Sequence, residues 1–108
     1  MNETEKTIYK VLDIVVEECS QSFLPITHKE VIGRGGNEQV RMARCIFVTQ
    51  LLLLGYNDIV VYRFIGRTRQ ALEDMPNRSR EYRKVSWAYR QMYDACSKRC
   101  EQFQTDRA

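Results

Sequence analysis

Apolar residues recur every three or four positions near the start of the chain. Ile8, Leu12, Val15 and Cys19 lie on one side of a helical wheel, and charged residues largely fill the other side. This spacing predicts an amphipathic helix over about residues 4–21. Such a helix packs its apolar stripe against a protein core.

Two capping signals and a glycine cluster follow this helix. Thr27 and Glu30 have the spacing of a capping box, which predicts a short helix over about residues 28–32. Three glycines within residues 33–36 predict a loop, because glycine loses the most backbone entropy in a helix. Asn37 is placed to cap the next element.

The next segment, residues 38–54, contains neither proline nor glycine. After Cys45 it is apolar on almost every face. A helix that is apolar all round is typical of the centre of a fold, so we expect this one to be central. We expect Gly55 to end this helix in the left-handed conformation, which glycine adopts without strain.

A fourth helix is expected to begin with Asn57 or Asp58 as its cap and to run to Ile65. Its β-branched residues 59–61 are also typical of a strand. We favour a helix, because no second strand is evident in the sequence and a lone strand leaves its backbone groups unpaired.

Beyond Gly66 the sequence predicts a short helix over residues 69–75 that Pro76 ends. An apolar stripe from Tyr82 to Phe103 then predicts a last helix over about residues 80–102. The predicted fold is therefore all-α, a small helical bundle of about five to six helices. With 108 residues the chain is expected to form one domain.

The segment from Val61 to Leu72 has the pattern of a helix-turn-helix. Such a motif needs a branched apolar residue in its first helix, an apolar residue and glycine at the turn, a small capping hydroxyl, and an apolar residue four positions later. Val61, Ile65, Gly66, Thr68 and Leu72 supply these in order. A degenerate helix break with a polar surface is the alternative interpretation of the same residues.

Residues between these packing positions are expected to face outward on the second helix. Arg67, Arg69, Gln70 and Glu73 occupy them. Arginine pairs with guanine and glutamine with adenine in the major groove of DNA, so these residue types favour base recognition.

The net charge of the chain is only +3, but it is unevenly distributed. Residues 1–30 carry three lysines and six acidic residues, whereas residues 63–90 carry eight basic and three acidic ones. A basic segment around one proposed helix favours an anionic partner, and we expect double-stranded DNA. The candidate DNA-binding residues are Arg34, Arg63, Arg67, Thr68, Arg69, Gln70, Arg78 and Arg80.

At residue level, Met42-Ala43 and Phe64-Ile65-Gly66-Arg67 resemble the C-terminal DNA-binding domain of the bacterial replication initiator DnaA, whose helical fold is related to that of the Trp repressor. The resemblance extends over about residues 7–92. It implies a helix-turn-helix fold and duplex binding, with Arg34 as the loop arginine that enters the minor groove. It also implies that Arg67 lies in the segment that contacts the major groove.

The chain departs from that family at the residues that recognise bases. Thr68 replaces an aspartate, Arg69 a histidine, and Gln70 with Ala71 a pair of threonines. A different target sequence is therefore expected. No nucleotide-binding segment is present in the sequence, which excludes ATP-dependent initiation by this chain.

Catalytic and metal-binding chemistry has little support in the sequence. His28 is the single histidine, and no nucleophile or carboxylate stands at a motif spacing from it, so we expect no enzyme and no cofactor. Cys96 and Cys100, with His28 and Cys19, form the one conceivable zinc set, but helical spacing in an apolar stripe explains them better. We expect reduced, buried thiols and no bound metal.

The aromatic residues of the last predicted helix are expected to pack in the core rather than to stack on bases. Tyr82, Tyr89 and Tyr93 share the apolar stripe. Trp87 lies off this stripe, which indicates either partial burial or a contact in a homodimer.

Hydropathy and charge also bear on location and on an alternative function. The longest apolar run, residues 51–54, is too short to span a membrane, and residues 1–10 are too polar for a signal peptide, so we expect a cytoplasmic protein. Glu38, Glu73 and Asp74 near the proposed DNA face favour the alternative, a helical protein-interaction module that does not bind DNA.

Overall fold

The computed structural model describes residues 2–21, 24–67 and 69–104. Regular structure within these ranges is entirely helical, which confirms the predicted all-α class and the number of helices. A 3-10 turn at Glu101–Phe103 follows the last helix. The helices are α1 (Glu3–Gln21), α2 (His28–Ile32), α3 (Glu38–Leu53), α4 (Asp58–Ile65), α5 (Arg69–Val85) and α6 (Trp87–Cys100).

Helix α3 lies at the centre, as its composition predicts. It packs against each of the other five helices, and all of its residues from Ala43 to Leu51 are buried. The core is one cluster of buried apolar side chains to which every helix contributes. Since burial of apolar surface is the main driving force for folding, α3 organises the arrangement of the other helices.

Side-chain caps begin three of the helices where the sequence predicts them. Thr27 and Glu30 form the reciprocal capping box of α2. Asn37 accepts a hydrogen bond from the Val40 amide at the start of α3, and Asn57 caps α4 in the same way. These caps satisfy amide groups that the first turn of a helix leaves unpaired.

The predicted helix boundaries in the C-terminal part of the chain were wrong. Pro76 does not end a helix but lies inside α5, which continues to Val85. Leu72, Met75 and Ser79 are buried before and after the proline, so packing against the core offsets the lost backbone hydrogen bond.

The boundary lies ten residues further on, at Ser86. Its backbone is extended, with φ −118° and ψ 111°, and its side chain accepts a hydrogen bond from the Tyr89 amide. The predicted single helix over residues 80–102 is therefore divided between α5 and α6. Val85, placed on its apolar stripe, is 80% exposed.

Buried aromatic and sulfur side chains confirm the core predictions for α6. Tyr89 and Tyr93 are buried and stacked at 6.0 Å between ring centroids, and Tyr82 stacks on Tyr89 at 5.0 Å. All four cysteines are free and buried. Within the described ranges, no helix has both the length and the apolarity needed to cross a membrane.

Candidate nucleic-acid interface

The turn between α4 and α5 is built on a left-handed glycine. Gly66 has φ 63° and ψ 30°, and its amide donates to the Tyr62 carbonyl at the end of α4. The amide of Arg67 donates to the same carbonyl at 3.2 Å. This is the tight helix-to-helix turn that the sequence predicts. Thr68, the predicted capping residue of α5, lies outside the described residues.

The glycine-rich loop before α3 lies next to this turn. Arg34 in the loop donates through Nη2 to the Gly66 carbonyl at 3.4 Å, although the two residues are 32 positions apart. We define the basic face as the exposed surface formed by Arg34, the turn at Gly66, and Arg69 and Gln70 at the start of α5. The fold therefore brings the loop and the proposed second helix together.

Acidic side chains hold Arg69 on the basic face. Its Nε atom is 2.9 Å from Oδ2 of Asp58, the first residue of α4, and 3.6 Å from Oε1 of Glu73. The guanidinium is still largely exposed. The Asp58 contact links the beginnings of α4 and α5, and both carboxylates reduce the positive charge that Arg69 presents.

Gln70 follows Arg69 and is exposed, as predicted. Its amide group therefore lies on the surface at the first turn of α5. This is the part of a second helix that contacts base edges in helix-turn-helix proteins.

The outward orientation predicted for Arg67 was wrong. Arg67 is only partly exposed, and its Nε atom is buried with no hydrogen-bond partner among the described residues. The side chain lines a cavity of about 230 Å³ between α3 and α5. The turn directs it inward because Arg67 precedes the helix, so it does not share the outward face of the residues that follow.

Three further arginines line the same cavity, and we call this set the arginine pocket. Its arginines are Arg41 and Arg44 from α3, Arg67 from the turn, and Arg78 from α5. Gly35, Cys45, Met75 and Tyr82 complete the lining.

Arg44 forms the inner wall of the arginine pocket and is 2% exposed. Its Nε donates to the Val31 carbonyl at 2.9 Å and its Nη2 to the Glu30 carbonyl at 2.8 Å. Burial lowers the pKa of Arg44, and the positive charges of Arg67 and Arg41 lower it further.

The sequence did not lead us to predict the contribution of Arg41 and Arg44. A signal is present, since the two arginines are three positions apart in a helix that is otherwise predicted to be central. Residues at this spacing lie on the same face of a helix. Their meeting with Arg67 and Arg78 depends on how α3 packs against α5.

The remaining predicted residues lie at other places on the surface. Arg63 lines a shallow groove between α4 and the start of α1, together with Glu5. Arg78 and Arg80 are exposed on α5 beyond Pro76, and Arg80 donates to the Asn77 side chain at 2.7 Å. Arg69 and Arg78 are nine positions apart in α5, or about 14 Å along its axis. The predicted set is therefore not one contiguous site.

Comparisons with known proteins identify no relative of this chain. It matches no protein-family model, and no curated protein or solved structure is significantly similar to it. The interpretation of the basic face and the arginine pocket therefore depends on their own geometry.

His28 has a partner that its sequence position did not indicate. Its Nε2 atom is 2.7 Å from Oδ1 of Asp13 on α1, and both side chains are about half exposed. The contact links α1 to the start of α2. Among the described residues no group of three or more histidine, cysteine or acidic side chains is arranged to hold a metal ion.

Proposed function

We propose that this chain binds double-stranded DNA through the helix-turn-helix formed by α4 and α5, as a small regulator or replication accessory protein. The observation that carries the proposal is the contact of Arg34 with the carbonyl of Gly66. It joins a basic loop to a left-handed turn that leads directly into an exposed basic helix. A binding role, rather than a catalytic one, follows from this proposal.

In the proposed complex the first turn of α5 enters the major groove. Arg69 and Gln70 are the exposed residues there, and they carry the side chains that pair with guanine and adenine. Thr68 belongs to this contact on sequence grounds. Arg34, on the adjacent loop, contacts the backbone or the minor groove.

Basic residues further along the surface supply phosphate contacts. Helix α5 has 17 residues and is about 25 Å long. Arg78 and Arg80 in its second half are therefore too far from its start to recognise the same bases, and we assign them to phosphates. Arg63, on α4, is proposed to contact the flanking backbone.

The resemblance to the DNA-binding domain of DnaA supports this assignment through Gly66-Arg67 and Met42-Ala43. It also leads us to propose the bacterial cytoplasm as the location, where chromosomal DNA is accessible. Because Arg69 and Gln70 differ from that family, we propose a different target sequence.

A salt titration of binding to random-sequence duplex DNA tests the proposal. Each neutralised phosphate contributes about −0.9 to the slope of log K against log salt concentration, so we expect a slope of about −3 to −5. Arg34→Gln is expected to reduce its magnitude by about 1. Lys98→Gln, an equal charge change at an exposed residue of α6, is the matched control and leaves the slope unchanged.

One observation favours a second candidate, a helical protein-interaction module that keeps the fold without binding DNA. Arg69, the central residue of the basic face, is already paired with Asp58 and Glu73. Absence of duplex binding at low salt by the folded protein would favour this candidate.

A further inference from the structure

We propose that the arginine pocket binds the phosphate group of a small phosphorylated molecule. Arg41, Arg67 and Arg78 are its direct ligands, and Arg44 supplies a fixed positive charge behind them. This inference concerns the cavity between α3 and α5, and it does not depend on DNA binding by the basic face.

The first support is an unpartnered donor. Nε of Arg67 is buried and has no hydrogen-bond partner in the described part of the chain. A buried polar group without a partner costs about 1–3 kcal/mol, and more if it is charged. An oxyanion in the cavity would accept this hydrogen bond.

The second support is the concentration of positive charge. Four guanidinium groups line about 230 Å³, and none of the ion pairs found among the described residues involves Arg41, Arg67 or Arg78. Like charges at short range destabilise one another, and after burial the charges of Arg67 and Arg41 are the causes that lower the pKa of Arg44. The negative charge of a bound phosphate dianion would offset this repulsion.

Arg44 is fixed before any ligand arrives. Its two hydrogen bonds to the carbonyls of Val31 and Glu30 hold the guanidinium in place on the inner wall. Its positive charge is therefore in place without a conformational rearrangement. The side chains of Arg41 and Arg78 are exposed and can move to contact a ligand.

Tyr82 forms one side of the arginine pocket. Burial, followed by the interaction with the Glu38 carboxylate, raises the pKa of Tyr82 to about 12. The hydroxyl donates its single proton to this carboxylate, so we do not count Tyr82 among the ligands of the phosphate. The Glu38 carboxylate beside Tyr82 reduces the positive charge on this side of the pocket.

The shape of the cavity favours a small molecule over a phosphate of the DNA backbone. Arg44 and Cys45 on its inner side are 2% and 3% exposed, so a duplex cannot approach them. Met75 and Cys45 provide apolar contacts for the part of the molecule that carries the phosphate.

Thermal melts with inorganic phosphate and pyrophosphate test the proposal, at constant ionic strength and with chloride as the reference anion. We expect saturable stabilisation, with an increase in Tm of about 2–6 °C at about 10 mM anion. Calorimetric titration of the same anions gives the affinity. A Tm that does not change with either anion contradicts the proposal.

Matched variants locate the site. Arg78→Gln, at an exposed residue, is expected to weaken pyrophosphate binding by about 10- to 100-fold and to melt like the parent protein without anion. Lys98→Gln makes the same charge change outside the pocket and is expected to bind like the parent. Equal weakening by both variants would mean non-specific attraction and would overturn the proposal.

A duplex-binding arm distinguishes the two possible sources of the phosphate. If the protein binds neither free anion but Arg41→Gln, a change at an exposed pocket residue that the DNA proposal does not use, lowers duplex affinity and its salt slope, the pocket contacts the DNA backbone and the small-molecule proposal is overturned. If free anions bind and the parent does not bind DNA, the pocket proposal is supported and the DNA proposal fails.

Discussion

At the scale of single residues, Arg69 combines an observed structural contact with a proposed function. Its contact with Asp58 links the starts of α4 and α5, and its exposed guanidinium is proposed to contact bases. An exposed ion pair contributes only about 0–1 kcal/mol to stability. The functional effect of changing Arg69 is therefore expected to exceed its effect on folding.

Arg69→Ala is expected to weaken binding to a selected target duplex by about 1–3 kcal/mol, because one base contact is lost. Its thermal melt should remain close to that of the parent. The target itself would come from selection among genomic fragments with the purified protein. Unchanged affinity in a variant that melts normally would remove Arg69 from the recognition surface.

Asp58→Asn provides the opposite test at the same contact. We expect stronger duplex binding, by about 2- to 10-fold at low salt, because the change removes a negative charge beside Arg69 and releases its guanidinium. The helix cap is kept, since Asn57 and not Asp58 caps α4. Weaker binding would indicate that the ion pair holds Arg69 in its binding position.

At the scale of elements, the α4–α5 turn depends on the backbone conformation of Gly66. Its φ of 63° is strained for any residue with a side chain, but a Cβ atom added there would meet no atom within 4 Å. The cost of a substitution is thus conformational and not steric. Comparing side chains that differ in how well they tolerate a positive φ therefore measures this conformational cost.

Gly66→Val is expected to lower the free energy of unfolding by about 1–3 kcal/mol and to misplace the start of α5, so that duplex binding falls as well. Gly66→Asn should be milder, because asparagine tolerates the left-handed region. Gly35 has φ 67° and equally open space, and Gly35→Val should also cost less, since a loop can relax. Urea unfolding and duplex titration measure the stability and the DNA affinity of the three variants. Equal losses in all three would contradict the special role of Gly66.

At the scale of the whole molecule, the closed core should protect the thiols. Burial raises the pKa of Cys45 and raises the pKa of Cys100 to about 11, and a hydrogen bond with Cys19, together with burial, raises the pKa of Cys96. Since the thiolate is the reactive form, we expect negligible reaction with a thiol reagent at pH 8 in the folded protein and four reactive thiols in denaturant. Rapid reaction of any thiol in the folded protein would contradict this.

The same raised pKa values predict loss of stability in alkali. A buried thiol that holds its proton more tightly in the folded state contributes stability below its ordinary pKa of 9.0, and this is lost as the pH rises toward about 11. We expect Tm to fall by about 2–8 °C between pH 9 and pH 11. Cys100→Ala should reduce this decrease in Tm. If the variant shows the same decrease as the parent, Cys100 is not its source.

The exposed apolar residues at the α5–α6 junction favour self-association, and we propose a homodimer. Val85 and Trp87 are 80% and 69% exposed on either side of Ser86. Helix-turn-helix proteins commonly bind two half-sites as dimers. Sedimentation velocity at micromolar concentrations should show a dimer that Trp87→Ser dissociates, and a parent protein that is monomeric throughout would contradict the proposal.

Part of the candidate interface was predictable from sequence, because it depends on local properties. The glycine turn at Gly66 and the exposure of Arg69 and Gln70 follow from residue type and helical spacing. The inward orientation of Arg67 and the ion pair between Asp58 and Arg69 were not predictable. Both depend on how the folded chain positions residues relative to one another, which the local sequence pattern does not show.

The sequence by itself determined the helical class, the caps at Thr27, Asn37 and Asn57, and the central position of α3. Periodicity, capping and a run of apolar residues act over a few neighbouring positions, so they are visible before folding. Only the tertiary structure decided that α5 continues through Pro76, because burial on both sides of the proline outweighs the local preference to end the helix. It also decided that arginines from α3, the turn and α5 share one cavity, since residues more than twenty positions apart meet only when helices pack.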